Sequence, residues 1–173
     1  NGEEQITGFH LASELIGLSG YDAGSYPLTA KALETTTVCE IPLPQLDTLA
    51  DELPDLRKQL MRTMGTEIRH DQNMMLLLSK KNAEERVASF LLDISQRYQR
   101  RGFSASHFRL PMSRVDISNY LGLAVETISR VFTRFQNNEL IETQGKEIIL
   151  RDMDELYEMA GLVSSTHCEK HDE

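Results

Sequence analysis

The chain has 173 residues, enough for one or two domains with a proper core, and a hydrophobic fraction of 40%, ordinary for a globular protein. No apolar run approaches the ~18 residues that span a bilayer, and no signal peptide is visible. The net charge of −9 argues against a polyanion-binding protein until it is divided along the chain. Residues 1–79 carry 5 Lys and Arg against 12 Asp and Glu, and residues 152–173 carry 1 against 7. Residues 80–151 carry 12 against 8, so the positive charge that phosphates attract is concentrated there.

The chain begins with Asn1-Gly2, a strong hairpin dipeptide with no strand before it, which leads us to expect further strands from a preceding segment. Gln5–Leu11 and Ala30–Leu43 read as strands, with Thr35-Thr36-Thr37-Val38 the most β-prone run. The loop between them holds Gly17, Gly20, Gly24 and Pro27. Residues 1–43 therefore look like the latter half of a small β-barrel or sandwich. Cys39, placed in a strand, reads on its own as a small buried thiol rather than a metal ligand. Two cysteines, Cys39 and Cys168, are too few for a disulfide framework, and a reducing cytoplasm is the default.

From Pro44 the pattern turns helical. Residues 44–53 form a short helix, and Pro54 suits the first position of the next, which runs to about Ser79. Met61, Met64, Ile68, Asp71, Met75 and Leu78 are spaced 3, 4, 3, 4 and 3 apart, a heptad seam suited to a second copy of the helix. The competing reading is that this stripe covers the chain's own barrel, although Leu60, Leu76 and Leu77 offer another face for that. Asp71 interrupts the seam. Facing its twin it would repel by roughly a few kcal/mol, or it turns to solvent toward Arg69 or His70. We expect it to hold the dimer near a balance point.

Asn82 with Glu85 three residues on begins another helix, which runs to about Arg101 and stops at Gly102. Val87, Phe90, Leu91 and Ile94 are its core face, and Phe108–Leu110 is a short strand. Ser113 and Asp116 open a helix that Gly122 ends sharply, and a second follows from about Val125 to Asn137. On this second helix Ile128, Val131, Phe132 and Phe135 fall on one side. Glu126, Ser129, Arg130, Thr133, Arg134 and Asn137 gather on the other. In a helix-turn-helix the first turns of the second helix reach base edges. Arg130 suits the O6 and N7 of guanine, and Glu126 suits the N4 amine of cytosine. An ordinary helical hairpin with an exposed Glu–Arg pair is the other reading. Residues 140–143 and 147–150 then form a β-hairpin around Gly145, making a winged helix with Lys146 at its tip. Arg114, Thr127, Arg134 and Lys146 are candidate contacts to the DNA backbone.

No nucleophile–base set, phosphate loop or metal triad points to an enzyme. His10, His70 and His107 are scattered, and the seven Met look like packing material. The charged tail of residues 161–173, with His167, Cys168 and His171, reads as disordered.

The barrel-like start, long dimer helix and winged helix with Val125-Glu126-Thr127-Ile128-Ser129-Arg130 together resemble the CRP/FNR superfamily of bacterial transcription regulators. Gln5–Leu11, Val38–Pro42, Leu76–Arg86 and Asn119–Leu123 resemble its oxygen-sensing FNR-type branch. The resemblance covers nearly the whole chain. It implies an α+β fold, with residues 1–53 the end of a cyclic-nucleotide-binding-like sensory β-barrel, 54–79 a dimerisation helix and 82–160 the winged helix. It also implies that Glu126, Ser129 and Arg130 read each half of a TTGAT–N4–ATCAA-type palindrome in double-stranded DNA, as a homodimer. Val125 stands where the cyclic-AMP receptor has an Arg. Cys39 matches one [4Fe–4S] ligand, the other three lying in a segment this sequence lacks, so this chain alone is not expected to hold the cluster. Asp71 falls at the family's dimer-helix carboxylate, and Gly2 and Glu3 at a loosely matched RNA polymerase contact. A cyclic-nucleotide- or haem-responsive regulator is the alternative. Against the nucleotide, Tyr26-Pro27-Leu28-Thr29 replaces the Arg-Ser pair that would cradle its phosphate.

Overall fold

Local signals at the ends of helices set the architecture. The computed structural model describes residues 4–21 and 24–162. Gly2, Glu3 and the tail from residue 163 lie outside the described residues. The described residues up to Thr7, together with those from Leu77 onward, form one compact unit, and Gly8–Leu76 forms the other.

The Gly8–Leu76 unit holds a short 3-10 turn at Leu18–Gly20, helix α1 at Leu43–Glu52 and most of helix α2, Pro54–Lys80. The strands expected at 5–11 and 30–43 do not form, and Cys39 is exposed rather than buried in a strand. β-propensity measures fit to a pleated surface with neighbours, and no strand pairs with either run among the described residues. The start of the first run is held in another way, within the other unit. The Asn119 amide accepts from Ile6 N–H at 2.5 Å and donates to Glu4 C=O at 2.7 Å, while Gln5 Nε2 donates to Asn119 C=O at 2.7 Å. The α+β class stands, but its sheet belongs to the C-terminal half.

α2 follows the expected course, one residue longer. Met61, Ile68, Asp71, Met75 and Leu78 are exposed, Met75 with 71% of its surface, and Met64 is half-buried. Leu77, on the other face, is buried.

Asn82 separates α2 from α3, Ala83–Arg100, by a complete capping box. Its side chain accepts from Glu84 N and Glu85 N, and the Glu85 carboxylate accepts from Asn82 N. Val87, Phe90, Leu91 and Ile94 are buried, as expected, with Ala88 and Leu92 beside them. β1, His107–Arg109, pairs antiparallel with β3, Glu147–Leu150, which also pairs with β2, Ile141–Gln144, in the order β1-β3-β2. The β2–β3 turn is Gly145-Lys146, with Gly145 at φ +62. Helices α4, Arg114–Leu121, and α5, Val125–Asn137, lie between β1 and β2 in the chain. The sequence reading missed a last helix, α6 at Met153–Met159, although Asp152 caps it by accepting from Glu155 N at 2.9 Å.

Four of these helices end in the same way. In each, one N–H reaches back five residues and the preceding N–H three, around a residue in the left-handed region. Gly102, Gly122 and Gly161 fill that position for α3, α4 and α6, but Glu139 fills it for α5 at φ +59. A Cβ there is strained. Glu139→Gly therefore stabilises the protein by about 0.5–1 kcal/mol, read as a higher midpoint in urea unfolding, provided the C-terminal unit unfolds in one step.

Candidate nucleic-acid interface

α5 is the most strongly two-sided helix of the C-terminal unit. Ile128, Val131, Phe132 and Phe135 are buried, each within 6% of full cover, while Glu126, Ser129, Arg130, Thr133, Arg134 and Asn137 are exposed. α4 is oriented to meet it by a capping box between Ser113 and Asp116 and by Gly122, at φ +61, in the turn.

On the exposed face, Ser129 Oγ donates to Val125 C=O at 3.0 Å and Thr133 Oγ1 to Ser129 C=O at 3.0 Å. Both hydroxyls keep their lone pairs for a donor from outside. Arg130 Nη2 donates to Thr127 Oγ1 at 3.3 Å, which props the guanidinium along the helix. Glu126, one turn earlier, takes no hydrogen bond among the described residues. Ser129, Arg130, Thr133, Arg134, Asn137 and Asn138 line one open depression. The base-reading trio expected from the sequence, Glu126, Ser129 and Arg130, thus shares one exposed face.

The expected backbone contacts are held differently. The Arg114 guanidinium lies 3.4 Å from the Phe132 ring centroid, and burial lowers its pKa from the ordinary value. It remains a cation, as Arg does in proteins. Lys146 Nζ donates to Pro111 C=O at 2.9 Å, drawing the wing tip against the segment before α4. Arg114 and Lys146 border, with Ser113, Thr143 and Gly145, a cleft between wing and α4. Thr127 is half-buried under Arg130, and Arg134 is ion-paired with Glu84 of α3. That pair spans 50 positions of sequence, so no local pattern announces it.

Arg86 ties this region to the end of α2. Its guanidinium donates to Leu78 C=O at 2.8 Å, to Lys81 C=O at 2.9 Å and to Leu121 C=O at 2.9 Å. The carbonyls left over at the ends of α2 and α4 are thereby satisfied by one side chain. Lys81 Nζ donates to Ser89 Oγ and to Ala160 C=O, both at 2.7 Å, and burial lowers its pKa despite Glu85 nearby.

Cys39 is the only described cysteine, and no group of three or more His, Cys, Asp or Glu suited to a metal occurs among the described residues. An iron–sulfur cluster needs four thiolates, and this sequence has two cysteines. The residues present do not fit such a cluster by themselves.

A helix-turn-helix with a hairpin wing and an exposed Glu–Ser–Arg face on its second helix defines the class: a winged-helix DNA-binding domain. A family model described as the Crp-like helix-turn-helix domain matches residues 85–159. The chain is 65% identical over 161 residues to the transcriptional activator protein Anr of Pseudomonas protegens, covering 93% of this chain and 66% of that one. It is 54% identical over 160 residues to the fumarate and nitrate reduction regulatory protein of Escherichia coli, covering 92% and 64%. The solved structure of FixK2 from Bradyrhizobium japonicum superposes with a TM-score of 0.62 at 34% identity, over 70% of this chain and 60% of that one. This chain belongs to the CRP/FNR superfamily of transcription regulators. It spans about two thirds of the length of the curated relatives it matches.

Removing the guanidinium that joins α2, α3 and α4 leaves three carbonyls to find other partners. Arg86→Ala costs about 2–3 kcal/mol of stability, measured by urea unfolding of the C-terminal unit, and a loss under 0.5 kcal/mol contradicts the role of Arg86 as a shared cap.

Proposed function

We propose that this chain is the DNA-binding and dimerising part of an oxygen-responsive regulator of the FNR type. In this reading two copies bind a TTGAT–N4–ATCAA-type palindrome, one to each half-site. The observation that carries it is the exposed face of α5, where Glu126, Ser129 and Arg130 stand together. Arg130, propped by Thr127, presents two parallel N–H groups to guanine O6 and N7, while Glu126 accepts from the N4 amine of cytosine. Arg114, Thr127, Arg134 and Lys146 supply phosphate contacts, which set register and affinity without reading sequence. Lys146 Nζ donates to Pro111 C=O, which holds its ammonium at the wing tip.

Dimerisation rests on α2. Met61, Met64, Ile68, Asp71, Met75 and Leu78 make a heptad stripe, most of it exposed in the single chain, and two-fold symmetry is what a palindrome requires. We place the dimerisation helix at 54–79, the end of the sensory domain at 1–53 and the DNA-binding domain at 82–160. Asp71 sits in the stripe as an exposed carboxylate, and its repulsion from the partner's copy keeps pairing weak.

Identity to Anr and to the fumarate and nitrate reduction regulatory protein supports a transcription regulator of this branch, and the oxygen response is the finer part of our proposal. A [4Fe–4S] cluster is the cofactor of this reading, with Cys39 as one ligand and cysteines from outside this sequence as the others. The exposure of Cys39 is consistent with a thiolate that joins ligands from another segment. RNA polymerase is the further partner, with Gly2 and Glu3 as the contact, and the cytoplasm is the compartment. No helix among the described residues is long and apolar enough to cross a membrane. The relatives are transcription regulators, and the reading assigns this chain no enzymatic reaction.

Two measurements test the reading. Arg130→Ala weakens binding to the palindrome by about 1–3 kcal/mol and relaxes the choice at one base pair per half-site, read by fluorescence anisotropy against duplexes substituted at each position. Equal losses on every duplex contradict base reading by Arg130. Asp71→Ala tightens the dimer tenfold or more, equivalent to ~1.4 kcal/mol, in sedimentation equilibrium, and an unchanged dimer constant removes Asp71 from the control of pairing.

A further inference from the structure

Arg134 sits on the outward face of α5, in the same depression as Ser129 and Arg130, and 64% of its side chain is exposed. A guanidinium in that place faces the approach of a DNA phosphate, yet it is already engaged. Glu84, in the first turn of α3, presents a carboxylate oxygen to Arg134 Nη1, and the Glu84 side chain is 30% exposed. The capping box uses the backbone N–H of Glu84 and the side chains of Asn82 and Glu85, not the Glu84 carboxylate. Glu84 Oε1 meets only Arg134 among the described residues.

The charges on this face therefore cancel. Arg130 has Glu126 one turn before it, and Arg134 has Glu84, so two cations are matched by two anions on the surface that must approach a polyanion. Exposed ion pairs are held weakly, and a phosphate offers the guanidinium a bidentate partner. Moving Arg134 onto a phosphate, however, leaves the Glu84 carboxylate beside the DNA backbone with its counter-charge removed.

We propose that Glu84 is an intramolecular competitor of DNA for Arg134, a built-in electrostatic brake that lowers sequence-independent affinity at each half-site. This rests on the reading of α5 as the DNA-binding face. Its consequence is that one copy of the chain gains little from phosphate attraction alone, so occupation of a site depends on base contacts and on two copies binding together.

The test is a double-mutant cycle on the full chain, with Glu84→Gln, Arg134→Ala and the pair of substitutions together. Binding is measured to a duplex carrying the palindrome and to a scrambled duplex, from about 50 to 200 mM salt. Gln keeps the length and the backbone N–H at position 84, so the cap survives, and circular dichroism confirms that each variant is folded. Glu84→Gln is expected to raise affinity for both duplexes by roughly three- to tenfold at the low-salt end, and to steepen the salt dependence by about one phosphate contact, a slope change near −0.9. Arg134→Ala costs less than about threefold in the native background and several times more when Gln stands at 84.

Weaker binding by Glu84→Gln overturns the proposal, since it makes Glu84 a residue that positions Arg134 for phosphate. Equal costs of Arg134→Ala in the two backgrounds overturn it as well. Arg130→Ala run alongside separates the two levels. If that variant binds the palindrome as well as the native chain does, the DNA-reading assignment of α5 fails and the brake with it. If it loses affinity while Glu84→Gln changes nothing, the brake alone is refuted.

Discussion

Burial of one side of α5 decides what the other side can do. Ile128, Val131, Phe132 and Phe135 sit in the core with α3, α4 and the small sheet, and their combined transfer from water amounts to several kcal/mol. With that face pinned, rotation of α5 by even a fraction of a turn would expose Phe132 or bury Arg130. The polar face is consequently held outward as a rigid set. That rigidity is what a base-reading surface needs, because hydrogen bonds to base edges depend on position to within a fraction of an ångström.

Three polar devices hold the rest of the domain to that frame. Arg86 caps carbonyls of α2 and α4 and so connects the last turn of α2 to the helix-turn-helix. Arg114 lies over the ring of Phe132, a core residue of α5, which couples the first helix of the pair to the second through a cation–ring contact. Lys146 binds the wing to the segment before α4. Each of these cations does structural work while remaining partly available to solvent. A domain with only a modest surplus of positive charge thus uses part of it internally, and the pairing of Glu84 with Arg134 uses more.

The two halves of the chain were not equally legible. Helix starts were read well because caps are local: Asn82 with Glu85 and Ser113 with Asp116 close boxes within four residues. The two faces of α5 and the β2–β3 turn at Gly145-Lys146 were also read from short-range periodicity and turn chemistry. The runs 5–11 and 30–43 misled. Their β-branched composition expresses a preference that only a neighbouring strand can satisfy, and among the described residues none is beside them. The helix at 153–159 was not legible because its seven residues, capped by Asp152, are too few to show a helical period.

The amino-acid order by itself determined most helix boundaries, the winged helix-turn-helix and the gathering of Glu126, Ser129 and Arg130 on one face of α5, because each follows from spacing within a few residues. Tertiary structure alone decided the partners of the cations. Arg134 meets Glu84 across 50 positions, Arg114 meets Phe132 across the helix turn, and Arg86 reaches Leu121 from another helix. Long flexible side chains select partners by proximity in space, and proximity between distant positions is set by how the helices pack, which no local pattern encodes.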